Sequence, residues 1–250
     1  MSLSVLLACF LAILGFYALG MSRMRLLPSP IYQVVRLACF CFGLVVALVT
    51  FIQSADIFGP GYRFTASMGQ MLLAIELAPP LILLSIPPAA LRSVYPSKHS
   101  QSNLPIILIL GSLAAVISLG WFTPYFFEAA SANFPIWLIR QVTLLFCGFI
   151  LWWPAIALIP IWKPNASQDL ICLFLFRLPL AFVGLLMTFS RRLSYSPRAI
   201  VVEICAPASL VDQQIGGQMM WIVSGLIIFI GLLVIFIQWI KVSSPPSVSA

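Results

Sequence analysis

The 250-residue chain has 62% hydrophobic and 8% charged side chains, with a mean hydropathy of +1.11. Soluble domains carry about 25% charged residues, so this composition excludes a water-soluble fold, and its high hydrophobicity also excludes disorder. The net charge of +7 comes from Lys and Arg residues scattered in ones and twos. This pattern is typical of loops that set membrane topology, and it argues against nucleic-acid binding. The composition therefore predicts an integral membrane protein.

Seven apolar runs have about the length of a membrane-spanning helix, which needs about 20 residues. We predict an all-α bundle of about seven transmembrane helices in one domain over residues 1–250, with a polar and flexible C-terminal tail at 242–250. The loop between spans 6 and 7 carries an apolar segment, Ala199–Val202, that we expect to lie along the membrane interface. Loop Lys and Arg residues favour an outside N-terminus and an inside C-terminus. In order, spans 1 to 7 are Ser4–Gly20, Ile31–Gln53, Ser67–Leu91, Leu104–Thr123, Pro135–Ile161, Asp169–Ser190 and Gly217–Ile240.

Four ionisable side chains fall within the predicted spans. Arg36 and Arg140 are near span ends, so we expect them to extend to the lipid headgroups. Glu76 in span 3 and Arg177 in span 6 lie at nearly the same depth, from about 1.5 Å of rise per residue. We predict that these two form a buried ion pair that fixes helix packing. A proton or ion path is the alternative.

The proline pair Pro79-Pro80 in span 3 is predicted to kink or break the helix, because proline removes a backbone donor and clashes with the preceding turn. Broken helices form substrate sites in many transporters. They also occur as simple packing kinks. A small-solute or ion transporter built on span 3 is therefore an alternative function.

Candidate chemistry is sparse in this sequence. His99 is the single histidine and has no acid or cysteine near it in sequence, and no catalytic motif is present. We therefore predict no enzyme activity. Met68 and Met71 share one helix face and are weak candidates for Cu(I), with Met219 as a further one, although methionine is also a common packing residue.

Four stretches resemble the CtaG-type family of cytochrome c oxidase assembly factors, which are seven-helix membrane proteins linked to copper insertion. Gln70-Met71-Leu72-Leu73 leads into Ala78-Pro79-Pro80-Leu81, like Q-H-L-L…A-P-P-L. Trp121-Phe122-Thr123-Pro124 precedes Glu128-Ala129-Ala130, like W-H-x-P…D-A-A. Residues 146–154 resemble L-x-G-x-L-F-W-W-P, and Asp212-Gln213-Gln214 through Met220-Trp221 resemble D-Q-Q-x-x-G-x-I-M-W.

The chain departs from this family at its histidines. Where the family typically has histidine, this sequence has Ser67, Met71, Phe122 and Gln141, and Arg140 replaces an acidic residue. Imidazole is a natural copper ligand, and an arginine repels a cation. The resemblance therefore implies a scaffold without a metal or other cofactor, and we expect copper binding to have been lost.

This resemblance implies a multi-pass protein of the bacterial plasma membrane, either an accessory subunit or an assembly factor. Its partners would be lipid and other membrane subunits, from a cytochrome c oxidase or a respiratory supercomplex. The loop from Arg191 to Asp212, which carries Arg191 and Arg192, is a predicted docking surface. We expect Asp212 to cap the N-terminus of span 7. Gln213 and Gln214 could assist that cap or contact the partner.

Overall fold

The computed structural model describes residues 30–52, 63–86, 104–156, 166–195 and 206–243, together with Gly15 and Tyr17. These residues form helices and their connections, with no strand among them. The elements are α1 (Pro30–Thr50), α2 (Arg63–Leu72), π1 (Leu73–Leu77), α3 (Ala78–Ser85), α4 (Leu104–Trp121), α5 (Pro124–Ala132), α6 (Phe134–Ile156), α7 (Ala166–Phe189), α8 (Ala206–Gln218), π2 (Met219–Val223) and α9 (Ser224–Ser243).

The predicted all-α membrane fold is confirmed. Helices occupy spans 2 to 7, whereas span 1 lies outside the described residues except for Gly15 and Tyr17. The bent pair Pro105–Trp121 and Pro124–Ala132 can form one further span, and α7 has a shorter apolar stretch, Phe174–Phe189. His99, Ala199–Val202 and the tail beyond Ser243 are also outside the described part of the chain. Four described helices are long and apolar enough to cross a membrane by themselves, namely Gln33–Thr50, Phe64–Ser85, Phe134–Trp153 and Leu210–Leu233.

Two elements differ from the sequence prediction. After α4 the chain bends by 66° into α5, because Thr123 is extended before Pro124 and cannot continue the helix. The last membrane helix begins at Ala206, eleven residues before the predicted Gly217. Asp212 and the two glutamines after it therefore lie inside a helix, where the sequence analysis expected a loop and a cap.

Close helix crossings depend on glycines. A Cβ atom at Gly217 would lie 2.8 Å from both the Gly184 carbonyl oxygen and the Thr188 amide nitrogen, so α8 and α7 are in backbone contact there. Small residues allow this approach between membrane helices, where van der Waals packing replaces the hydrophobic effect as the attraction. The α8–α7 contact fixes the position of Asp212 one turn further towards the N-terminus of α8.

The glycine crossing gives the first prediction. Gly217→Ala should lower the stability of the protein by about 1–3 kcal/mol, because the new methyl group overlaps backbone atoms. Gly225→Ala is the matched control, since it adds the same group in the same continuous helix but meets nothing within 4 Å. Thermal unfolding in detergent measures both variants. Equal melting temperatures for the two would contradict the close crossing.

Candidate functional site

The proline pair leaves one backbone carbonyl without a helical partner. In π1 the hydrogen bonds run to the fifth residue back, as from the Ala78 N–H to the Leu73 oxygen. The Ile75 oxygen would accept from residue 79 in an α-helix or from residue 80 in a π-helix, and both are prolines without an N–H. The helix runs on to Ser85, so the predicted deformation takes the form of a π segment and not of a gap. The transporter alternative therefore loses the broken helix on which it was based.

Two side chains from other helices bind this carbonyl. The indole Nε1 of Trp152 donates to the Ile75 oxygen at 3.1 Å, and Arg177 Nη2 lies 3.5 Å from the same atom. Gly148 is one turn before Trp152 on α6, and a Cβ atom there would be 2.7 Å from that oxygen. The glycine thus allows α6 to approach closely enough for the indole to donate.

Glu76 and Arg177 form the ion pair that their depths in spans 3 and 6 predict. Arg177 Nη1 is 2.7 Å from Glu76 Oε1, and each side chain is 2% exposed. The Ser224 hydroxyl donates to the same carboxylate oxygen at 2.9 Å. The guanidinium also lies over the Trp152 ring, 5.7 Å from its centre. These groups, with the Ile75 carbonyl, are called the central polar cluster here, and they join π1, α6, α7 and α9.

Asp212 caps a helix, but not the one that the sequence predicted. Its carboxylate accepts hydrogen bonds from the backbone amides of Phe64 and Thr65 at 2.8 and 2.9 Å, at the beginning of α2. The Thr65 hydroxyl donates to the Asp212 carbonyl oxygen in return. The prediction of a cap on span 7 was wrong because α8 extends that span past Asp212. The carboxylate still satisfies free amides at a positive helix end, on a neighbouring helix.

The two glutamines after Asp212 hold the segment that follows α7. Gln213 accepts from the Ser194 amide at 2.8 Å and donates to the Arg192 carbonyl oxygen at 3.2 Å. Gln214 donates to the Ser190 carbonyl oxygen at 3.1 Å. Their side chains are therefore used within the protein. The guanidinium groups of Arg191 and Arg192 are exposed, and the remaining residues of the predicted docking loop, 196–205, lie outside the described residues.

Tyr195 is a site residue that the sequence analysis missed. Its hydroxyl donates to the Phe122 carbonyl oxygen, and its ring packs against Phe64 and Phe127 at 4.6 and 5.0 Å between centres. Burial raises the pKa of Tyr195, so the phenol stays protonated and keeps its donor at physiological pH. We call Phe64, Phe127, Tyr195, Arg140 and Asp212 the rim cluster, since they lie where α2 and α6 begin.

The residues at the family's histidine positions offer few ligand atoms that suit copper. Met71 is fully buried in the main core cluster, which also contains Phe122. Phe122 offers no ligand atom, and Ser67 and Gln141 offer only oxygen or amide groups. Cu(I) prefers several soft ligands, and among these four positions only Met71 has one. No group of three His, Cys, Asp or Glu side chains suited to a metal occurs in the described part of the chain.

The two arginines near span ends are buried instead of reaching lipid headgroups. Arg36 donates to the Ile86 carbonyl oxygen at 2.6 Å, just beyond α3, and is 8% exposed. Arg140 is 2% exposed and lies over the Phe127 ring at 5.6 Å. The expectation that they extend to the headgroups was therefore wrong. Backbone carbonyl groups attract Arg36 inward, and the Phe127 ring attracts Arg140.

A comparison with models of protein families shows the family of this chain. The model for the cytochrome c oxidase caa3 assembly factor family (Caa3_CtaG) matches residues 15–242, which is most of the chain. The chain belongs to this family. Comparisons with curated proteins and with solved structures give no match.

In this member of the caa3 assembly factor family, the resembling motifs have structural roles. The A-P-P motif frees the Ile75 carbonyl, and the motif with Gly148 and Trp152 binds it. The D-Q-Q motif anchors the beginning of α2 and the segment after α7. These stretches therefore supply contacts that hold the helix bundle together.

The ion pair gives the second prediction. Arg177→Gln should destabilise the protein by about 3–5 kcal/mol, because it leaves the Glu76 carboxylate buried without its counter-charge. Exchanging the two, as Glu76→Arg with Arg177→Glu, should recover part of that loss. Thermal unfolding in detergent compares the single variant with the exchange. If the exchange is no more stable than Arg177→Gln, the pairing does not hold the helices together.

Proposed function

We propose that this chain serves a haem–copper cytochrome c oxidase as a non-catalytic membrane scaffold, either in assembly or as an accessory subunit, and that it has lost copper binding. Membership of the caa3 assembly factor family supports the link to the oxidase. The observation that carries the loss of copper is the buried Arg140 beside Gln141, where the resemblance places an acid and a histidine. A cation next to the former ligand position opposes metal binding.

The packing of the rim cluster supports a scaffold role. Phe122 is buried and its backbone carbonyl accepts from Tyr195, so a residue at a family histidine position takes part in packing. The buried carboxylate of Asp212 accepts hydrogen bonds from two backbone amides, so it is already engaged within the protein. An end of the bundle built this way is preorganised to present a fixed surface. Neither the Phe122 ring nor the engaged Asp212 carboxylate is available to an incoming cation.

Two kinds of surface are available for the oxidase. Exposed apolar residues along the helices face lipid or other membrane subunits, as on α6 with Ile139, Val142 and Phe146. Arg191 and Arg192 are exposed beside the segment that Gln213 anchors. Membrane helices associate by close packing with a few polar contacts. We place the complex in the bacterial plasma membrane, which is where the resembled family works.

The third prediction tests the partner. Affinity purification of the tagged chain under mild detergent should recover haem–copper oxidase subunits. A one-to-one ratio with the mature enzyme would identify a subunit, and a small fraction bound only to incomplete enzyme would identify an assembly factor. Arg191→Glu with Arg192→Glu should reduce recovery, because the exposed charges are reversed. Recovery of no oxidase subunit from cells that make the enzyme would contradict the proposal.

The fourth prediction tests the loss of copper. Protein purified after growth with added copper should contain well below one copper atom per chain by elemental analysis. The control is Met68→Leu with Met71→Leu, which removes both buried thioethers while nearly conserving volume. It should give the same value. One copper per wild-type chain that disappears in this double variant would show that a Cu(I) site persists.

A further inference from the structure

Arg140 is a buried cation, and two of its three side-chain nitrogen atoms have no hydrogen-bond partner in the described part of the chain. Its side chain is 2% exposed, and its Nε and Nη1 atoms have no hydrogen-bond partner among the described residues. The guanidinium group lies over the face of the Phe127 ring. An aromatic ring attracts the charge but does not replace directed hydrogen bonds to the guanidinium. Two donor directions are therefore left for another group.

Gln141, the next residue on α6, has the same property. Its side chain is fully buried, and neither its amide nitrogen nor its amide oxygen has a partner in the described part of the chain. Most buried polar side chains in folded proteins are hydrogen-bonded, because an unpaired one costs free energy. Two consecutive exceptions at one place indicate a binding site for a polar group.

The two carboxylates that are buried in the described part of the chain are engaged elsewhere. Asp212 binds the amides of Phe64 and Thr65, and Glu76 binds Arg177 and Ser224. Ionisable side chains inside a membrane protein normally pair or mark a functional site. Neither of these two carboxylates is left for Arg140, so an anion from outside the chain can pair with it.

The position of Arg140 indicates where this anion comes from. It lies six residues, or about 9 Å, along α6 from Phe134. Aromatic side chains at this end of the bundle are exposed, and such residues mark the level of the lipid headgroups. They are Tyr125, Phe126 and Phe134. Ile139 and Val142, on either side of the Arg140–Gln141 pair in sequence, are exposed and apolar, so an acyl chain can lie beside the buried polar pair.

We propose that Arg140 and Gln141 bind the phosphate group of an anionic phospholipid. The Nε and Nη1 atoms of Arg140 can each donate to a phosphate oxygen, and such charged hydrogen bonds are strong. The Gln141 amide nitrogen donates to a further oxygen. The site thereby converts the rim from the cation binding implied by the family resemblance to anion binding, and it does so whether or not the chain accompanies an oxidase.

The experiment uses the full chain, delipidated in neutral detergent, and measures its melting temperature with added compounds. Phosphatidylglycerol should raise the melting temperature of the wild type. Diacylglycerol with the same acyl chains should not, because it lacks the phosphate, and inorganic phosphate should not, because it lacks the chains. Native mass spectrometry should show one retained phosphatidylglycerol per chain.

Variants of Arg140 separate lipid binding from folding. Arg140→Gln should weaken phosphatidylglycerol binding by at least about tenfold, yet melt no lower than the wild type without lipid, since it removes an unpaired buried charge. Arg140→Lys should retain part of the lipid effect. Arg191→Gln is the matched control, because it removes an exposed positive charge and should leave lipid binding unchanged.

Three results would overturn the proposal. An equal lipid effect in the wild type and in Arg140→Gln would show that Arg140 is not the site. A response to inorganic phosphate alone would assign the site to free phosphate instead of lipid. Stabilisation by purified oxidase, with no response to any lipid, would assign Arg140 to a carboxylate of a protein partner.

Discussion

The carbonyl group of Ile75 is the constraint on which the centre of this protein depends. In the hydrocarbon region no water can replace a lost backbone hydrogen bond, so each polar group needs a partner from the protein. The two prolines remove both possible helical donors to this oxygen, and Trp152 and Arg177 replace them. Arg177 in turn needs a counter-charge at the same depth, and Glu76, one residue beyond Ile75, provides it. One unsatisfied oxygen thus accounts for the positions of two helices, α6 and α7, against π1.

The central polar cluster is better understood as a device for alignment than as a source of stability. Removing two charges from water costs about as much as their attraction returns, so a buried pair often contributes little net stability. Its directions are specific, however. Trp152 and Ser224 reach their acceptors only in one register of α6 and α9 against π1. We interpret the cluster as the element that selects this packing among the many that apolar helix faces would allow.

The sequence was sufficient to predict the features that depend on hydropathy and on depth along a helix. It was not sufficient for contacts between residues that are distant in sequence near the helix ends. Hydropathy was sufficient to locate helices in the regions of spans 2 to 7. The rise per residue of a helix was sufficient to place Glu76 at the same depth as Arg177. The extension of the last helix back to Ala206 was missed, because its first turns are only weakly hydrophobic and resemble a loop. The role of Asp212 was missed because of that error, since the donors to its carboxylate are backbone amides about 150 residues earlier in the chain, on α2. Tyr195 gave no signal, because a single tyrosine in a loop has no periodicity that indicates its partner.

The division between the central polar cluster and the rim cluster explains how a chain can match its family along most of its length without the family's histidines. The motifs with Pro79-Pro80, with Gly148 and Trp152, and with Asp212 satisfy backbone groups, so their loss would disturb the bundle itself. The side chains at the histidine positions do not have this role of satisfying backbone groups. Phe122 shows that an apolar ring inside the core can occupy one of these positions. On the proposal that copper binding was lost, aromatic packing takes the place of ligands, while the contacts of these motifs keep the helices in position. The energetic cost of this arrangement falls on Arg140 and Gln141, which have buried polar atoms without a hydrogen-bond partner among the described residues.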